Sequence, residues 1–174
     1  LVDETGHAPA PFANHPLYNN KNQPVVGLPF NDAIAYCIWL GKRLGKTVML
    51  PTEAQYEKAA RGGKVMKRFP WGDNWDRLRL NVSGAIQQVG IMTTDNGFGL
   101  DNVVGNVEEW CLDVHGDPSE TTYKVVRGGN YEGNEFTTQV TSRRLIDPLR
   151  FTEEGQEVAA AHPEHVGFRV EILV

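Results

Sequence analysis

Basic charge is scarce in this sequence. Lys and Arg number 17 against 22 Asp and Glu, for a formal net charge of −5. Neutralising a phosphate backbone needs a basic face, so nucleic-acid binding is not expected. Cysteine is scarcer still. Cys37 and Cys111 permit at most one bridge, which excludes a disulfide-stapled scaffold. Long apolar runs are missing too. The longest candidate, Ala33 to Leu40, is stopped by Gly41, Lys42 and Arg43. A bilayer span needs roughly 20 apolar residues, so no membrane span is expected. No period of roughly 20–50 residues repeats, which excludes a solenoid or propeller. The sequence begins at Leu1 without a signal peptide and reads as a fragment or processed form.

What is present suits one soluble domain: 174 residues, 40% hydrophobic and 22% charged. Residues 1–24 are rich in Pro, Asn and His and read as an irregular lead-in. Val25-Val26-Gly27 reads as a short strand. Asn31 or Asp32 is placed to cap a helix carrying Ala33, Ile34, Cys37, Ile38, Leu40 and Leu44 at helical spacing. Pro51 then precedes Thr52-Glu53-Ala54-Gln55, a capping-box pattern. Glu57 and Arg61 stand at i,i+4 in the favourable order. Gly62-Gly63 supplies a left-handed stop. Further on, Phe69-Pro70-Trp71-Gly72-Asp73 reads as a turn. Tyr123–Arg127, Gln139–Leu145 and Gly167–Val174 read as strands. Two early helices before a loop-heavy β part make the class α+β.

Familiar chemical motifs fail on spacing or context. Gly41-Lys42-Arg43-Leu44-Gly45-Lys46-Thr47 has three residues between its glycines where a phosphate loop needs four, and it follows a helix. Gly97-Phe98-Gly99 and Gly105 do not have dinucleotide spacing. In His162-Pro163-Glu164-His165 the proline prevents helical alignment of the histidines, and a solvated loop is expected. Cys37 lies on the apolar helix face and Cys111 follows Trp110, so both read as packed thiols. Asn81-Val82-Ser83 is a glycosylation sequon, relevant only in a secreted protein. Arg127 reads as a strand-end anchor. Tyr131 and Phe136 read either as a stacking platform or as packed aromatics. Arg143 and Arg144 alternate across a strand, so only one faces a given groove. Trp39, Trp71, Trp75 and Trp110 read as framework.

Several segments, in order, resemble one family. They are NQPVVGLPFNDAIAYCIWLGKRL (22–44), LPTEAQYEKAARGG (50–63), FPWGD (69–73), NGFGLDNVVGNVEEW (96–110), RGGNY (127–131) and GFRV (167–170). They resemble the sulfatase-modifying-factor, or formylglycine-generating-enzyme, family over about residues 20–170. The resemblance implies an α+β, C-type-lectin-like fold with much irregular backbone. It also implies a further N-terminal strand segment ahead of Leu1, which another chain or domain could supply.

The family enzyme binds copper through two cysteines, four and nine residues beyond the second glycine of the pair. Those positions are Gly133 and Thr138, after Gly129. Neither offers the soft sulfur that Cu(I) takes, which argues against copper and against formylglycine generation. The family's usual serine and tryptophan are replaced by Asn130 and Glu108. For calcium, the resemblance implies one structural site: the Asn102 side chain, the carbonyls of Gly105 and Val107, and Glu109. All are oxygen donors suited to a hard cation. The enzyme's second calcium site does not carry over, because Asn81 to Asn96 is short. The family disulfide would pair Cys37 with the position now held by Val170, so Cys37 is expected free and a reducing, cytoplasmic setting is favoured.

Together these readings point to a non-catalytic domain that binds a small molecule or protein. Asn130, Tyr131, Gly133, Phe136, Thr138 and Arg144 are the candidate ligand-binding residues. One version is a retroelement-diversified protein, varied between RGGNY and GFRV. The alternative is a non-haem iron or other metal-dependent oxidoreductase subunit completed by a partner domain, as in the related sulfoxide synthases.

Overall fold

The computed structural model describes residues 2–18, 20–92, 96–116, 123–147 and 163–173. The elements in chain order are α1 (Val2–Thr5), α2 (Phe30–Leu44), β1 (Thr47–Met49), α3 (Glu53–Arg61), β2 (Glu108–His115), β3 (Tyr123–Arg127), β4 (Arg143–Ile146), a 3-10 turn (Pro163–His165), β5 (Val166–Gly167) and β6 (Glu171–Leu173). β1 and β6 form an antiparallel pair. The other four strands form a sheet in the order β4-β3-β2-β5, antiparallel except between β2 and β5. This is α+β architecture with much irregular backbone.

The larger sheet is covered on both faces. Trp110 and Val126 project with Phe30, Ala33 and Cys37 of α2 into one core. Their strand neighbours Cys111 and Val125 join Tyr56 and Ala60 of α3 on the other side. Trp110 is fully buried, meets Phe30 edge-on at 5.9 Å, and donates its indole N–H to the Leu28 carbonyl at 3.0 Å. Burial of a large apolar side chain contributes roughly 1.5–3 kcal/mol. With both faces covered, β2 lacks period-2 alternation, which is why its pattern does not read as a strand.

Helix α3 follows its sequence signals closely. The Thr52 hydroxyl accepts from the Gln55 N–H at 3.2 Å, and the Gln55 side-chain amide oxygen Oε1 accepts from the Thr52 N–H at 2.7 Å. Gly62, left-handed at φ 56°, ends the helix, and the Asn96 amide donates to the carbonyls of Ala59 and Ala60. The 69–73 turn also forms, with Phe69 buried and Trp71 stacked on it at 5.4 Å.

Other local expectations need correction. Neither Asn31 nor Asp32 caps α2, which starts at Phe30 after Pro29 with no side-chain cap. On that helix Ala33 and Cys37 are buried, but Ile38 and Leu44 are exposed. Residues 25–27 are not a strand, although Gly27 donates to the Val166 carbonyl at 3.1 Å. Residues 139–142 form a turn, closed by Ser142 N–H on the Gln139 carbonyl, and only residues 143–146 pair with β3. The C-terminal strand is split, because β5 pairs with β2 and β6 with β1.

Candidate functional site

The segment after β3 is positioned by a buried cation. Arg127 is 2% exposed. Its guanidinium donates to Glu53 at 2.5 Å, Glu57 at 3.0 Å and the Val140 carbonyl at 2.6 Å. It thereby joins the end of β3, helix α3 and the far end of the following loop. The strand-end anchor read from the sequence is this group. Burial alone would push the Glu57 carboxyl up. Hydrogen bonds from Arg61 and Arg127 outweigh it and hold the carboxyl below the usual carboxylate range.

Gly128 and Gly129 then turn the chain at φ 97° and 69°. A Cβ on Gly128 would lie 2.6 Å from the Tyr56 hydroxyl, and one on Gly129 would lie 2.3 Å from the Thr137 carbonyl. Only glycine meets both demands here. The loop beyond is a run of side-chain-braced turns. Asn130 Oδ1 accepts from the Glu132 N–H and Asn134 Oδ1 from the Phe136 N–H, each at 2.9 Å. The Thr138 hydroxyl donates to the Asn134 carbonyl at 2.7 Å. A Cβ on Gly133 would fall 2.6 Å from Thr138 Cγ2, so these two positions face each other.

Beside this loop lies a cavity of about 320 Å³, with Glu108, Gly129, Phe136, Thr137 and Arg144 in its walls. Glu108 is buried and takes a two-point contact from the Arg144 guanidinium, through Nε at 3.0 Å and through Nη2. Such a fork-to-carboxylate contact fixes the cation's orientation. Arg143 borders the cavity as well, so the expectation that only one of the two arginines faces it needs correction; its guanidinium reaches Glu53 at 3.3 Å and His115 at 3.3 Å. Phe136 is 74% exposed at the rim.

The candidate ligand-binding residues therefore separate. Phe136 and Arg144 line the cavity, whereas Asn130, Tyr131, Gly133 and Thr138 lie outside its walls. Thr138 is fully buried. Tyr131 is 3% exposed, packed with Val26, Ile86 and Val107, its ring edge-on to His165 at 4.8 Å. Of the two readings of the aromatics, Tyr131 is a packed residue and forms no platform with Phe136. His165 is buried too, 3.5 Å from Glu132, which corrects the solvated-loop expectation there. His162 lies outside the described residues. Thr137 and Glu108 are groove residues beyond the candidate set. The departure of Glu108 from the family's aromatic was the one signal.

A second feature is the loop entering β2. Asn102, Gly105 and Asn106 are left-handed at φ 52°, 74° and 65°. A Cβ on Gly105 would lie 2.7 Å from the Asn81 carbonyl. Tyr56 O–H takes the Val103 carbonyl at 2.9 Å and Tyr131 N–H takes the Asn106 carbonyl at 2.9 Å. Asn102 Oδ1 is buried without a hydrogen-bond partner, an arrangement that costs about 1–3 kcal/mol unless something fills it. Glu109 is buried in a two-point contact with Arg169, through Nε and, at 2.6 Å, through Nη2. Asn81 of the sequon is buried, its amide donating to Ala85 at 2.8 Å and Asn106 at 2.9 Å. Both cysteines are buried and unbridged, and desolvation pushes both thiols up.

No helix among the described residues is long and apolar enough to cross a membrane. Residues 5–172 match the model of the sulfatase-modifying factor enzyme 1-like domain. A formylglycine-generating enzyme of Thermomonospora curvata is 43% identical over 113 residues, spanning 56% of this chain and 35% of that protein. The inactive C-alpha-formylglycine-generating enzyme 2 of Bos taurus is 34% identical over 122 residues, spanning 62% and 38%. Among solved structures, Treponema denticola variable protein 1 superposes with a TM-score of 0.73 at 22% identity, over 95% of this chain and 77% of that one. The chain spans less than half the length of the curated relatives it matches. By this match across nearly its whole length, the chain belongs to the sulfatase-modifying factor enzyme 1-like family.

Proposed function

We propose that this chain is a non-catalytic binding domain of its family, and that its ligand enters the cavity between Phe136 and Arg144. The observation that carries this reading is the facing pair Gly133 and Thr138. They stand where the family enzyme holds its two copper thiolates, and neither can donate sulfur. Cys37 and Cys111 cannot substitute, because each is sealed in a core. Beside that pair, the cavity presents an exposed aromatic, a threonine hydroxyl and an arginine fixed by a buried carboxylate. An aromatic rim with a few oriented polar groups suits recognition. An inactive relative in cattle and a variable protein with the same fold are consistent with a scaffold that can part from its chemistry. In the retroelement version of the reading, Phe136 and Thr137 belong to the varied segment.

The same reading includes one structural calcium ion, held by Asn102 and Glu109 side chains and the carbonyls of Gly105 and Val107. The orphaned Asn102 Oδ1 fits a hard cation. Arg169 already balances the Glu109 charge, so the site has little net charge and its affinity is modest. The ion would brace the turn that carries β2 and Glu108. A fragment library screened by NMR tests the binding reading. Hits are expected to shift the amides of Phe136, Thr137 and Arg144 and to weaken at least tenfold in Phe136→Ala. Hits confined to other surfaces would overturn it.

A further inference from the structure

We propose that a second cavity, between the N-terminal segment and helix α2, is a binding site for a hydrophobic organic amine. This cavity of about 480 Å³ has Leu28, Tyr36, Phe168 and Val170 in its walls and His7 and Asp32 among its polar groups. Its size lies within the roughly 300–1,000 Å³ of small-molecule sites. Tyr36 and Phe168 meet edge-on, their centroids 5.4 Å apart.

The hydrogen-bond balance selects the ligand's charge. His7 Nδ1 lies 2.9 Å from the Ala8 carbonyl, which can only accept, so Nδ1 carries the hydrogen. With the ring neutral, Nε2 is then a lone pair. It faces Asp32 Oδ1 across 3.5 Å, and that carboxylate also only accepts. Two acceptors converge with no donor between them. An ammonium group has several donors and can satisfy both, and its positive charge is matched by Asp32. The rings of Tyr36 and Phe168 add cation–π attraction, and the aliphatic wall takes the ligand's apolar body. Arg169 also borders the cavity, but its guanidinium is matched by Glu109, so it leaves no net positive charge to repel the amine. A carboxylate of the same shape leaves both acceptors unpaired, and an alcohol, with one O–H, satisfies only one of them. The site is separate from the Phe136–Arg144 cavity and does not depend on the function proposed for it.

The test is a titration with phenethylammonium at pH 8. NMR follows the amides of Tyr36 and Phe168, and 2-phenylethanol and 3-phenylpropionate serve as neutral and anionic matches. Saturable binding of the amine is expected, at least tenfold tighter than either match and at least tenfold weaker in Asp32→Asn. Equal affinity for amine and alcohol, unchanged affinity in Asp32→Asn, shifts elsewhere or no saturation would each overturn the proposal. Should Asp32→Asn fail to fold, the comparison of the three probes on the unaltered protein decides alone.

Discussion

Replacing Arg127 by methionine removes the cation that ties β3, α3 and the 128–140 loop together. Breaking one side of a buried ion pair costs about 3–5 kcal/mol. Here the stranded carboxylates keep other partners. Glu53 retains Arg143 at 3.3 Å and Glu57 retains Arg61 at 2.8 Å. The Val140 carbonyl loses the guanidinium, at about 1–3 kcal/mol for a buried acceptor. Arg127 Nε is itself buried without a partner, which lowers what the wild-type arrangement contributes. The expected loss is therefore about 2–3 kcal/mol, at or below the lower end of the range. With a urea m-value of about 2–3 kcal/mol/M, the midpoint falls by about 1 M. Amide exchange at Thr138 and Val140 should accelerate together, because the same side chain closes the loop. Arg127→Lys should fall between, since an ammonium keeps the charge but not the fork. A midpoint shift below about 0.3 M, or exchange unchanged in the loop, would refute the argument that this one residue holds the groove's frame.

Other consequences are as direct. Cys37 and Cys111 should resist a thiol reagent in the native protein and react in full in urea; prompt labelling of either at pH 8 would contradict their burial. Calcium at 1 mM, with a Kd of about 0.1 mM, adds about 1.4 kcal/mol. That raises Tm by about 3–5 °C for a chain of this size, and Asn102→Ala should abolish the rise. No rise at 10 mM calcium would remove the site. Gly129→Ala places a methyl 2.3 Å from the Thr137 carbonyl at a left-handed φ, and should lower stability by about 1–3 kcal/mol in urea titration. The Glu57 carboxyl is held low in the folded state, so its contribution is present above the ordinary carboxylate range of about 4–5 and is lost as pH falls through the lowered value. Glu57→Gln should flatten the acid limb of stability against pH, and an unchanged limb would show that other groups set it.

Much of the framework is local and therefore legible. The capping box of α3, its Glu57–Arg61 pair and its glycine stop each depend on neighbours within four residues. The 69–73 turn is legible for the same reason. Strand β2 was not, because burial on both faces erases alternation and its two glutamates are compensated by distant arginines, Arg144 and Arg169. Likewise, nothing local to Tyr131 shows that its ring is enclosed by Val26, Ile86 and His165. The groove was half legible. Phe136 and Arg144 could be picked from the loop and strand beyond the glycine pair, but Thr137 enters only because that loop folds back onto Gly129.

The central proposal is that this chain binds a ligand and does not oxidise cysteine. The most direct measurement is oxygen uptake by the unaltered chain, supplied with Cu(I) and a cysteine-containing peptide. A Gly133→Cys, Thr138→Cys variant is run beside it to restore the two thiols. The account predicts uptake by the unaltered chain no faster than a protein-free blank, with tight Cu(I) binding confined to the variant. Sustained uptake with conversion of the peptide's cysteine, by the chain that carries Gly133 and Thr138, would contradict it.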